Sequence, residues 1–326
     1  MSDTPLLSVR GLHVVFDGRR GPLTALDGVS LDIAAGEILG VVGESGAGKS
    51  LTGTSIIGLL DPPGRIAGGT ITFDGRRIDN LPPAEMRALR GRHIGAIFQD
   101  PLTSLHPLLR VGDQIVETIL THIDMSRGEA RRRALKLLED VGIPAPEVRI
   151  DHYPHQFSGG MRQRVVIALA LCAEPKLIIA DEPTTALDVS IQAQITTLLK
   201  RLCREHGTAV LLVTHDMGVI AETADRVAVM YAGRVVEVGP VETVIGQPRH
   251  PYTAGLMASI PSVHRRNEQL TQIDGVMPRL DAIPTGCAFH PRCRFAIDAC
   301  RSAAPTIEAG LHAAACHLPL AGAAHG

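Results

Sequence analysis

Short apolar runs alternate with longer stretches of helical period along most of the chain, the pattern of a parallel sheet covered by helices. Residues 38–42 predict a buried strand, the Gly-rich stretch after them a turn, and residues 49–60 a helix. Between residues 69 and 78, Ile71 and Phe73 alternate with polar neighbours ahead of Asp74-Gly75, a two-residue hairpin signal that predicts a small antiparallel sheet. From residue 107 to about 173 the period turns helical. Ser126 and Glu129 have capping-box spacing at the head of a helix reaching Val141, so residues 105–173 read as a helical subdomain inserted into an α/β core. The core resumes with strands at 177–180 and 209–214, separated by a helix for which Ser190 is the expected N-cap. Residues 226–238 predict a hairpin turning at Ala232-Gly233. Beyond Pro248 the chain becomes rich in Pro, His and Cys, which divides it into a domain at 1–248 and an extension at 249–326.

Composition narrows the class. With 45% hydrophobic and 20% charged residues, the chain can bury a sizeable core and is not a disordered polymer. A formal net charge of −2 argues against a nucleic-acid partner. The longest apolar run, residues 165–173, is about half of the ~18 residues needed to cross a bilayer. Residues 1–10 lack the basic start and apolar stretch of a secretory signal, so the expected location is cytoplasmic.

Gly43-Glu44-Ser45-Gly46-Ala47-Gly48-Lys49-Ser50 fits the nucleotide phosphate loop at every defined position, between a predicted strand and a predicted helix. Its amides would curve around the phosphates of ATP, with Lys49 on the β and γ oxygens and Ser50 Oγ on Mg²⁺. The apolar run 177–180 ends in Asp181-Glu182; Asp181 would hold Mg²⁺, and Glu182 would polarise the attacking water as general base. The bland alternative for those carboxylates is an N-terminal cap of the next helix. Ser158-Gly159-Gly160 precedes an apolar helix, and a cap explains Ser158 without explaining the paired glycines.

Taken in order, the phosphate loop, Phe157-Ser158-Gly159-Gly160-Met161, Asp181-Glu182, Thr185-Ala186-Leu187-Asp188 and Thr214-His215 resemble an ABC-type ATPase over roughly residues 5–245. The resemblance implies two subunits clamping two ATP molecules head to tail, with Ser158, Gly159 and Gly160 meeting the γ-phosphate held by the partner's loop. It implies His215 as a switch histidine on the γ-phosphate, Asp188 at the dimer seam, and Gln99 as a Mg²⁺ sensor beside the groove that docks the membrane subunit. Phe16 is its candidate for stacking on adenine, against an ordinary core role. Phe157 and Met161 replace the commoner Leu and Gln of the signature. Residues 98–105, Met161-Arg162-Gln163-Arg164 and His250-Pro251-Tyr252-Thr253 resemble the dipeptide, oligopeptide and nickel importer branch, although His106 replaces an expected Asn.

Cys287, Cys293, Cys300 and Cys316 have five, six and fifteen intervening residues, unlike the close pairs of most zinc ribbons. Four thiolates suit a [4Fe–4S] cluster or tetrahedral Zn²⁺. The tail resembles the Gly-Cys-x-Phe-His-Pro-Arg-Cys segments of peptide-importer ATPases, whose four cysteines can hold such a cluster, and the cluster is the expectation, with His290, His312 and His317 as substitute ligands. The resemblance further implies a second ATPase subunit, two membrane permeases, an extracytoplasmic solute-binding protein, and a peripheral place on the cytoplasmic face of the inner membrane. The competing class is a soluble ABC ATPase acting on nucleic acid or ribosomes; such chains usually carry a long coiled-coil insertion or tandem ATPase units, and this sequence shows neither.

Overall fold

The computed structural model describes residues 4–18, 21–185, 187–259, 273–307 and 310–320, so Ala186 of the Thr185–Asp188 motif lies outside the described residues. In chain order come strands β1 (Leu7–Gly18), β2 (Gly21–Ile33) and β3 (Ile38–Val42), helix α1 (Lys49–Ile56), strands β4 (Gly64–Phe73) and β5 (Arg76–Arg77), helix α2 (Pro83–Leu89) and strand β6 (Ile94–Ile97). Five helices follow: α3 (Pro101–Ser104), α4 (Val111–His122), α5 (Arg127–Asp140), α6 (Pro146–Arg149) and α7 (Gly159–Leu171). Then come β7 (Leu177–Asp181), α8 (Val189–His206), β8 (Ala209–Val213), α9 (Met217–Thr223), β9 (Arg226–Tyr231), β10 (Arg234–Pro240), α10 (Val241–Gly246), α11 (Pro251–Ala258), α12 (Asp298–Ser302) and β11 (Ala313–Ala314). These elements belong to two compact units, one drawn from Met1–Ile33, Leu39–Asn80 and Val213–Gly326, the other from Ala34–Ile38 and Leu81–Leu212.

In the first unit, β2-β1-β4-β5 form an antiparallel sheet. Leu7, Val9, Leu12 and Val14 of β1 are buried, and each such side chain removed from water contributes about 1.5–3 kcal/mol. Asp74 at φ 51° and Gly75 at φ 75° make the expected β4–β5 turn. A second sheet runs β11-β10-β9-β3. Strand β3 lies parallel to β9, from Leu39 opposite Arg226 to Val42 opposite Val229, and all five of its residues are buried. The β9–β10 hairpin turns at Ala232 and Gly233 as expected.

In the second unit, β8-β7-β6 are neighbours in that order, with β6 and β7 parallel. Helices α4, α5 and α7 pack together through faces such as Ala130, Ala134, Leu137 and Leu138. The capping box forms as predicted: Ser126 Oγ accepts from Glu129 N and the Glu129 carboxylate accepts from Ser126 N.

Two expectations shift. Helix α1 stops at Ile56 rather than residue 60, because Gly58 at φ 62° lets Gly58 N donate to Ser55 O and Leu59 N to Thr54 O, the closing bonds of a Schellman end. Ser190 lies inside α8, whose N-cap position is taken by Asp188, two residues earlier.

Candidate active site

The phosphate loop connects β3 to α1 in the first unit. Gly48 stands at the N-cap of α1 with φ 100°, and a Cβ there would lie 2.7 Å from Leu26 Cδ2; a Cβ on Gly43 would strike the Met230 carbonyl oxygen. Only glycine lets the chain turn this closely against the sheet. The α1 N-terminus has neither a side-chain cap nor an acidic residue in its first turn. Its amide dipoles and N–H groups therefore favour an anion placed at the loop. Lys49 is 6% exposed and donates from Nζ to Gly43 O (2.8 Å) and Glu44 O (3.0 Å), which lays its ammonium across the loop. Ser45, Gly46 and Ser50 are exposed. This donor set of lysine, backbone amides and hydroxyl fits a nucleotide's phosphates with Mg²⁺.

Glu44 is tied to the C-terminal part of the chain. Its N–H donates to Tyr252 Oη (2.8 Å), and its carboxylate takes two bonds from the Arg292 guanidinium, Nη1 to Oε2 at 2.7 Å and Nη2 to Oε1 at 3.0 Å. Also in this unit, His215 is exposed in the turn before α9, where Asp216 Oδ1 caps the helix by accepting from Gly218 N and Val219 N. Phe16 is half-buried on β1 opposite Gly64, and its ring occupies the space a side chain at Gly64 would need.

In the second unit, β7 delivers Asp181 at its C-terminal end. Glu182 follows at φ 45°, a left-handed conformation costly for a residue with a Cβ and often found where a side chain is aimed for function. Glu182 Oε2 accepts from Gln99 Nε2 (3.1 Å) and from Thr185 Oγ1 (2.8 Å), so two predicted site residues from sequence positions 83 apart share one bond. Ser158 caps α7 by accepting from Met161 N at 3.3 Å and is exposed. Cβ atoms built on Gly159 and Gly160 would lie 3.7 Å from Leu187 Cδ2 and 2.8 Å from Ile191 Cγ2. The paired glycines thus face the chain that carries Asp188, which is exposed and makes no side-chain cap bond.

Comparison with known proteins bears on this geometry. Residues 26–185 match the ABC transporter family and residues 236–300 the oligopeptide/dipeptide transporter C-terminal region. The chain is 50% identical over 303 residues to the oligopeptide transport ATP-binding protein OppD of Escherichia coli, covering 93% of this chain and 90% of the relative. It is 49% identical over 316 residues to the dipeptide transport ATP-binding protein DppD of Bacillus subtilis, covering 96% and 94%. This chain belongs to the ABC transporter ATP-binding family. Among solved structures, the ATP-binding cassette MJ0796 bound to ADP and Pi, described as dimeric, superposes with a TM-score of 0.65 at 32% identity, covering 72% of this chain and 98% of that one. The fold is thus the ABC cassette, α/β with an antiparallel sheet and a helical subdomain.

Family membership does not carry the expected iron–sulfur cluster, and the structure corrects that expectation and its zinc alternative. Among the described residues, no group of three or more His, Cys, Asp or Glu is placed to hold a metal. Cys287, Cys293, Cys300 and Cys316 are free thiols around a cavity of about 10 Å³, roughly the room of one water-sized sphere. Burial raises the pKa of Cys287, Cys293 and Cys316, which favours neutral thiols over the thiolates that metals require. The substitute ligands are engaged elsewhere: His290 Nδ1 with Cys287 O, His317 Nε2 with Ala303 O, and His312 Nε2 with Glu237 Oε1.

Sequence reasoning missed Tyr252 and Arg292 as partners of the loop and Thr185 as a partner of Glu182. The His250–Thr253 segment stood out in the sequence only as a mark of a branch, and residues 286–293 only as part of the cysteine tail.

Proposed function

We propose that this ABC ATPase powers the import of peptides through a membrane transporter, a reading supported by likeness to peptide-transport ATP-binding subunits over 93% and 96% of the chain. Lys49 and the loop amides hold the β- and γ-phosphates of ATP, and Phe16 meets the adenine. Ser50, Asp181 and Gln99 are the residues that would hold Mg²⁺, which would supply charge neutralisation on the phosphates. Glu182, oriented by the Gln99 and Thr185 donors, takes a proton from the attacking water, and His215 hydrogen-bonds the γ-phosphate. Ser158, Gly159 and Gly160 reach the nucleotide held by a second ATPase subunit, with Asp188 at the seam.

Residues 1–248 constitute the ATPase domain with its helical subdomain at 105–173, and residues 249–326 the extension. Among the described residues no helix is long and apolar enough to cross a membrane. On the likeness to peptide-transport ATP-binding subunits, the chain works as a peripheral subunit on the cytoplasmic face, with two permeases and an extracytoplasmic binding protein. A cavity of about 390 Å³, bordered by Phe98, Thr103, Ser104, Val166 and Leu169, is the docking groove for a permease segment, and Phe98 is 44% exposed beside it. Reconstitution of the chain with its co-purifying membrane subunits in vesicles tests the reading: ATP-dependent peptide uptake is expected. Stable recovery with nucleic acid, and without permeases, would refute it.

A further inference from the structure

The phosphate loop carries one carboxylate, Glu44, within the segment that receives the phosphates. An unpaired negative charge there opposes an anionic ligand at short range, where screening by water is weakest. The structure removes that opposition from outside the loop. Arg292 is 7% exposed on its side chain and grips Glu44 through both carboxylate oxygens, a fork that a lysine cannot reproduce. Its remaining donors are fixed as well: Nε to Asp274 O at 2.7 Å, Nη2 to Gly275 O at 3.3 Å and Ile273 O at 3.4 Å, and Nη1 to Tyr231 Oη at 3.4 Å. The guanidinium also lies 5.8 Å from the Tyr231 ring centre and 5.9 Å from that of Phe289.

A second tie acts on the backbone. Tyr252 is fully buried, packs edge-on against Tyr231 at 4.7 Å between ring centres, and turns its hydroxyl to the Glu44 N–H. Burial raises the Tyr252 pKa, so the hydroxyl stays neutral at physiological pH.

We propose that Arg292 and Tyr252 are positioning residues of the nucleotide site: they hold the phosphate loop in its anion-accepting shape, and Arg292 neutralises Glu44 so that its carboxylate does not oppose the phosphates. The C-terminal extension is on this view a working part of the ATP site. The proposal rests on the reading of the loop as an ATP site.

Equilibrium binding of MgATP to the full chain, by calorimetry, tests it beside far-UV circular dichroism of each variant. Arg292→Gln is expected to raise the Kd about tenfold, because it strands Glu44 beside the phosphates. Adding Glu44→Gln to it is expected to recover most of that loss, whereas a merely structural pair would leave the double variant as weak as the single one. Tyr252→Phe, which keeps the ring and loses the acceptor, is expected to raise the Kd about threefold. Unchanged affinity in folded Arg292→Gln, or a loss that Glu44→Gln does not relieve, would overturn the proposal. Where Arg292→Gln does not fold, Tyr252→Phe decides: a rise in Kd supports the proposal and an unchanged Kd overturns it. No MgATP binding by the unaltered chain would instead remove the ATP-site reading, and this inference with it.

Discussion

Glu182 pairs an uncommon backbone conformation with two donors on one carboxylate oxygen, so its replacement separates holding nucleotide from hydrolysing it. Glu182→Gln keeps the size and much of the hydrogen bonding but cannot accept the proton. Turnover should fall by roughly 10²–10⁴ while MgATP still binds, as measured by phosphate release and calorimetry. Lys49→Ala should instead weaken binding itself; undiminished affinity would count against the loop as the phosphate site. Another titrating residue shapes stability. His250 is buried and held down to about 4, and its neutral Nδ1 accepts from Tyr252 N at 3.0 Å. An unfolded histidine titrates near 6.5, so below that pH the unfolded chain binds a proton the folded chain refuses. The associated stability is complete above pH 6.5 and is lost as pH falls toward 4, by up to about 3 kcal/mol. Urea midpoints at pH 7.5 and 5 should differ less in His250→Asn, which retains an acceptor for Tyr252 N; an equal difference would assign the slope to other groups. The phosphate loop was readable because its chemistry is written in consecutive residues. Tyr252 and Arg292 were not, because they meet Glu44 across 208 and 248 positions of chain.

At the level of elements, sequence signals worked where one local interaction decides and failed where competitors were equally suited. Ser126 and Glu129 satisfy each other's end groups, and Ser126→Ala should cost about 0.5–2 kcal/mol in urea unfolding with m unchanged. At α8, Asp188 and Ser190 are both good cap residues, and the N-cap position falls to Asp188. Strands β1 and β2 went unread because register shifts at Val9/Leu12, Leu12/Val14 and Val14/Val15 break the alternation that marks a strand. The cysteine expectation failed for a related reason: spacing along a chain reports neither the room between thiols nor how deeply they are buried.

For the whole molecule, a strictly monomeric preparation should hydrolyse ATP slowly, and ATP should drive Glu182→Gln into a dimer visible by light scattering. Rapid turnover by monomer would defeat the shared-site mechanism. Val189, 84% exposed at the start of α8 beside Asp188, is a suitable position for a spectroscopic probe of that association. The short strand β11 matters at this scale too. Ala313 and Ala314 pair with Val238 and Glu237, and Ala315 N donates to Val236 O, so the chain's own tail covers the flank of β10. Proteolysis that strips β11 would expose a row of peptide groups ready to recruit a foreign strand, and clipped material should form oligomers unrelated to nucleotide.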